Sequence, residues 1–342
     1  MPPAFLALFL LAAAQTNAPE PSPTVSTPAA KQAFRTAIGA LLQADGTSAA
    51  EQLSKIPDGE LSAKDAGFKA CITARLAGRE RSPSPGRTAF ASEALAAYQA
   101  YWRRGVIDPA GRADAERDLV GKLATLLGRP SLADIDAVEP LLAERLTREG
   151  LHSLQGRTGK LRDLMIWSKE TERVEEVPLP EGANPTRVVY LDGFLSRGWS
   201  TYLSCDRTGS GGWTKSDGLY VVTPAYESLT DENFRVNFLA HESQHYSDKR
   251  RFADLPGWRL EYRAKLVELV YAAETRDKVL QRFIDSQGDD PADPHSFANR
   301  KVVLALRTAL GVDDLAGAPV AALQQAALAE LLADSGRLKV QP

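Results

Sequence analysis

Two of the four histidines in this 342-residue chain stand four residues apart around a glutamate, in the segment His241-Glu242-Ser243-Gln244-His245. With histidine this scarce, a His-Glu-x-x-His arrangement arises by chance at a given position about once in 10⁵, and so in roughly a few of every thousand chains of this length. The spacing has a mechanical reason. On a helix, residues four apart lie one above the other, so two imidazoles can reach a single ion. The glutamate between them points slightly aside, where it can hold a metal-bound water without ligating the metal. The plain alternative is a solvent-facing helix with two incidental histidines.

The flanks supply a helix. Phe234, Phe238, Leu239 and Ala240 provide apolar contacts before the first histidine, and no Pro or Gly intervenes. A catalytic zinc site needs a third protein ligand and keeps one position for water. Glu261 is the candidate, sixteen residues after His245 and beyond the breaker Leu255-Pro256-Gly257. If the first helix ends near residue 251, His245 lies about 9 Å from its end and Glu261 about 6 Å into the next. An antiparallel return then brings Glu261 alongside the histidine pair, with Ala264 small enough to let the helices approach. Glu268 is the rival, seven residues further on the same face and nearer the level of His241. Asp248 also faces the ligand side, but as a neighbour on the same helix it suits an acceptor for an imidazole N–H. Tyr262, Tyr246 and Tyr271 are candidates to stabilise an oxyanion, with packing the ordinary role of each. His152 and His295 stand alone and read as surface or capping residues.

HESQH followed by Glu261-Tyr262-Arg263-Ala264 resembles the HExxH…ExxA pattern of the gluzincins, zincin metallopeptidases with a glutamate third ligand. The resemblance covers roughly residues 218–275. It implies one Zn²⁺ held by His241, His245 and Glu261, with Glu242 as general base and a peptide or protein as substrate. It also implies a sheet whose edge strand runs above the active-site helix, here GLYVVTP (218–224). In such a site zinc lowers the pKa of bound water and polarises the scissile carbonyl. The glutamate takes the water proton and passes it to the leaving amine. Sixteen residues from the second histidine to the glutamate is shorter than in the best-known gluzincins, which keeps Glu268 in play. No HExxHxxGxxH is present, so a metzincin is excluded. A second reading is a helical binding or scaffold protein on a zincin framework, with structural zinc or no activity. The fourth metal position separates the two: water there favours the enzyme, a fourth protein ligand the scaffold.

The surrounding chain predicts an α+β, mainly helical fold. From 31 to about 170, apolar residues recur at three- and four-residue spacing, as in KQAFRTAIGALLQA and AFASEALAAYQAYWRRG, with Gly and Pro between the runs at Pro83–Gly86, Gly128–Pro130 and Gly150. An antiparallel helical bundle over 31–175 is expected. A zincin-like domain over 176–342 follows, with a small, mostly antiparallel sheet. Its strand candidates are 187–191, 201–205 and 218–224, around a Gly-rich turn at 208–212. Thr230 or Ser228 can cap the helix through HESQH. Later helices are expected at 258–286, 295–310 and 318–334. The acidic loop GDDPADP (288–294) reads as a solvated turn, since its order is not that of a calcium loop.

The formal net charge is −3 and no long basic run occurs, so a nucleic-acid partner has no electrostatic footprint. Lys249-Arg250-Arg251 reads as a solvated helix end whose cations suit the helix dipole. Residues 4–14 form an unbroken apolar run of signal-peptide length, too short for a bilayer. A signal peptide over 1–18 is expected, cleaved before Gln15 or Pro19, then a Pro-rich tether over 19–30 and a secreted or periplasmic location. No later segment is apolar enough to span a membrane. Cys71 and Cys205, the two cysteines, can pair in an oxidising compartment or stay as separate buried thiols. Neither has CxxC spacing.

Overall fold

A computed structural model describes residues 23–79, 88–252 and 254–340. The expected signal peptide, the tether as far as residue 22 and the Pro83–Gly86 break lie outside the described residues. The rest of the expected tether is not loose. Ser26 is buried, donates to Asp65 Oδ2 at 2.6 Å and accepts from the Ser62 amide at 2.9 Å, while the Thr27 amide bonds Glu60 O. These bonds tie the residues before the first helix to the bundle, and composition alone cannot show them.

The N-terminal half is the expected bundle: α1 (Pro28–Leu42), α2 (Gly46–Ser54), α3 (Ala63–Leu76), α4 (Ala89–Ile107), α5 (Arg112–Leu126) and α6 (Ile135–Arg148). Thr27, Asp45, Ser62, Thr88 and Asp134 cap five of these helices by accepting an amide of the first turn. Phe34, Leu53, Ile72, Trp102, Leu123 and Leu142 fill the interior.

Strands begin earlier than expected. In place of helix up to residue 170, β1 (His152–Thr158) and β2 (Leu161–Trp167) form a hairpin, and β3 (Lys169–Val177) follows. The helical expectation up to residue 170 falls on β1 and β2, and β3, KETERVEEV, has almost no apolar alternation to mark it as a strand. It is an outer strand whose charges face solvent, which also protects a sheet edge from stray pairing. Next come β4 (Asn184–Asp192), β5 (Ser196–Arg197), α7 (Trp199–Leu203), β6 (Gly212–Lys215) and β7 (Gly218–Val222). The expected strand at 201–205 is therefore a corrected assignment: most of it lies in α7. Trp199 and Leu203 are buried four residues apart against the bundle, a helical spacing that outweighs strand propensity.

The strands make two sheets, β1-β2-β5 and β3-β4-β7-β6, antiparallel except for the β4–β7 pair. The bundle's core runs on through Leu161, Leu164, Ile166, Trp199 and Leu203, so the two halves interleave rather than part at residue 175. Cys71 of α3 and Cys205 after α7 form a disulfide across a sequence separation of 134. Closing a loop of that length restricts the unfolded chain by about 4–5 kcal/mol in the chain-entropy model. Replacing both cysteines by serine is expected to lower unfolding free energy by up to that amount, measured by denaturant titration.

The C-terminal half is helical. Asp231, rather than Thr230 or Ser228, caps α8 (Glu232–Phe234) by accepting the Phe234 amide at 3.1 Å. One turn of wider π-helix, Arg235–Ala240, leads directly into α9 (His241–Arg251). Then follow α10 (Gly257–Tyr271), α11 (Arg276–Asp285), α12 (Pro294–Leu310) and α13 (Val320–Val340). The single helix expected over 258–286 is thus two. The Glu232 carboxylate accepts the Ala273, Glu274 and Thr275 amides at the junction, so side-chain oxygens satisfy backbone groups that a continuous helix would have paired internally. Leu266, Val267, Phe283, Val302 and Leu331 form this half's core. The acidic loop is a turn, with Asp290 accepting the Ala292 amide and Asp289 paired with Arg300. Among the described residues no helix is long and apolar enough to cross a membrane.

Candidate metal centre

The break at Pro256 returns the chain as a helix packed against α9, and this brings Glu261 to the histidine pair. His241 Nε2 and His245 Nε2 lie 3.1 Å apart. Glu261 Oε1 is 3.2 Å from His245 Nε2, and its Oε2 is 3.6 Å from His241 Nε2. A tetrahedral ion with bonds of about 2.0–2.2 Å holds its ligand atoms about 3.3–3.6 Å from one another. The three observed contacts, two of them to different oxygens of Glu261, run from 3.1 to 3.6 Å, close to that range. Glu261 Oε2 is a buried carboxylate oxygen without an aligned hydrogen bond, with Lys265 Nζ at 3.6 Å and His295 Nδ1 at 2.9 Å on its other sides. The residues present therefore fit a metal ion. All three are buried, and among the described residues no further His, Cys, Asp or Glu joins this group.

Glu268, the rival third ligand, lies on the other side of His241. Its Oε1 is 2.7 Å from His241 Nδ1 and its Oε2 accepts from Arg282 at 2.6 Å. Burial alone would raise the Glu268 carboxyl, but the His241 bond and the charges of His241, Arg282 and Lys265 hold it below the usual carboxylate range. An ionised Glu268 fixes the proton of His241 on Nδ1 and leaves Nε2 as the donor atom for an ion. The sequence placed Glu268 on the correct face. It could not tell which imidazole nitrogen the carboxylate would meet.

Asp248 is a correction. It does not accept an imidazole N–H but takes Arg263 Nε at 2.8 Å, with both side chains fully buried. Arg263 also reaches Asp334 of α13 at 3.1 Å and Glu181 at 2.9 Å. It thereby clamps α9, α10 and α13 together, one turn from His245 and Glu261. A buried guanidinium requires this many partners, and they draw Asp248 away from the histidines.

The edge strand is a second correction. GLYVVTP contains β7, which is interior, and β6 is the edge beside α9. The close approach of β6 depends on Gly212, where a Cβ would collide with the Tyr220 carbonyl and the Phe238 ring. Alternation along β6 sends Trp213 to the Tyr220 and Trp167 side and Thr214 toward α9. There the Thr214 hydroxyl donates to Glu242 Oε2. Residues 208–212 carry only a turn signal in the sequence, which does not show this contact.

The tyrosines sort by position. Tyr262 donates to Glu330 at 2.7 Å in the α10–α13 interface, away from the His241–His245–Glu261 group. Tyr271 ends α10, about 15 Å along the helix from Glu261. Tyr246 packs with Arg250, its ring centroid 5.8 Å from the guanidinium. Tyr226, not among the expected residues, packs edge-on to Phe234 at 5.0 Å. Burial and the Glu242 charge both push its phenol above the ordinary range. His295, expected as a surface or capping residue, is mostly exposed yet places Nδ1 2.9 Å from Glu261 Oε2. The starts of α10 and α12 lie side by side, Trp258 edge-on to Phe297 at 5.4 Å, which brings two sequence-distant helix ends together. His152 meets Glu170, at 3.3 Å, and the Trp167 ring.

Compared with known proteins, the chain matches no family model, no curated protein and no solved structure.

Proposed function

We propose that this protein is a zinc-dependent hydrolase of the zincin type, exported to an oxidising compartment and cleaving peptide bonds. One observation carries the reading: His241, His245 and Glu261 converge as a set of three, with Glu242 next to them on α9. Structural zinc sites are closed by four protein ligands, whereas catalytic ones use three and keep a position for water or substrate. A scaffold with structural zinc would need the fourth.

The bound ion would supply Lewis acidity and make a water acidic enough to attack at neutral pH. Glu242 accepts the water proton and passes it to the leaving amine. Thr214 holds one Glu242 oxygen and leaves the other for the water. Glu268 orients His241. The outer side of β6, where no strand pairs among the described residues, offers backbone groups to an extended peptide in the manner of an added strand. The Cys71–Cys205 disulfide supports an oxidising location.

The direct test is metal analysis of the purified protein together with digestion of a mixed peptide library. About one zinc per chain and cleavage abolished by a chelator are expected. A metal-free protein, or cleavage indifferent to chelation, refutes the proposal.

A further inference from the structure

The third ligand has an unbalanced environment. Glu261 Oε1 is nearest His245 Nε2, at 3.2 Å. Its Oε2 is buried and unsatisfied, yet three nitrogens gather around it: His295 Nδ1 at 2.9 Å, Lys265 Nζ at 3.6 Å and His241 Nε2 at 3.6 Å. Lys265 approaches from the protein side, its ammonium buried 5.0 Å from the Phe283 ring centroid. His295 approaches from solvent, with its side chain 70% exposed. It does not belong to the set of ligand atoms that lie within 4.8 Å of one another. The ring is carried on the first turn of α12, whose Pro294 packs against the bare Cα of Gly257 at the start of α10.

We propose that His295 is a positioning residue for the metal site, donating from Nδ1 to Glu261 Oε2 so that Oε1 is the oxygen presented to the ion. A small rotation of an exposed ring aligns the N–H, and the orphaned oxygen gains its partner. A carboxylate held in this way cannot swing to grip the ion with both oxygens, which keeps the remaining coordination position free. His295 would thus help set the number of open positions without touching the metal. The inference rests on the proposed metal site, and its test separates the two.

The experiment measures zinc affinity by chelator competition, and the visible spectrum of the cobalt-substituted protein, for the wild type, His295→Ala and His295→Asn. Failure of the wild type to bind either metal sinks the metal-site reading itself. If the wild type binds, His295→Ala is expected to weaken zinc about 10–100-fold and to shift the cobalt bands. His295→Asn, whose amide nitrogen sits near the place of Nδ1, is expected to restore both. Unchanged affinity and spectrum in His295→Ala overturn the positioning role. A loss that asparagine does not restore overturns it too, and makes His295 a direct ligand.

Discussion

Glu242→Gln is expected to retain a full complement of zinc and to lose peptide hydrolysis, by about 10²–10⁴-fold, the range general acid–base catalysis contributes. The two halves of the result have separate causes. His241, His245 and Glu261 meet without Glu242, so the amide leaves their convergence intact. Glutamine also keeps a carbonyl oxygen for the Thr214 hydroxyl, so side-chain placement is preserved. What disappears is the capacity to take a proton. Metal content by elemental analysis and cleavage of the library peptides, measured on one preparation, check both halves. Activity retained in this variant refutes the assigned role of Glu242, and metal lost with the activity shows that Glu242 belongs to the ligand set.

The second large effect concerns metal retention. A structural zinc site with four ligands is worth roughly 10–16 kcal/mol, so one ligand carries on the order of 3–4 kcal/mol, or about 10²–10³-fold in affinity. Glu261→Ala is expected to lose that much. Glu268→Gln is expected to lose less, about 10–100-fold, because it only releases the orientation of His241. Chelator competition on the two variants ranks them. The reverse order would make Glu268 the third ligand. The ranking turns on one geometric fact: Glu268 meets His241 at Nδ1, while Glu261 lies on the Nε2 side shared with His245.

The parts of the site that were legible in the sequence share a cause. His241, Glu242 and His245 are placed by helical periodicity alone, which the local chain dictates. Glu261 follows from one further local signal, the breaker at Pro256-Gly257, and from the rise per residue. Helix starts were readable where a Ser, Thr or Asp precedes an apolar period, as at Thr27 and Ser62. Where the signal is weak, the reading failed. β3 lacks alternation, and the Trp199–Leu203 turn looks strand-like until the bundle buries one side of it.

The remainder required the folded molecule. Thr214 reaches Glu242 from 28 residues away, because Gly212 lets the edge strand lie close to β7 and to Phe238 in the turn before α9. Arg263 was visible as part of EYRA, but its role emerges only where α9, α13 and the segment before β4 surround it and desolvation forces every donor to find an acceptor. His295 looked solitary because its neighbour Glu261 lies 34 positions earlier, joined to it by the side-by-side starts of α10 and α12. Periodicity and breakers act over a few residues, so the sequence by itself determined the His-Glu-His helix and a returning helix that carries Glu261 and Glu268 on the facing side. Which nitrogen Glu268 would meet, which strand would form the edge and which imidazole would cover Glu261 depend on packing between distant segments, and only the tertiary structure decided them.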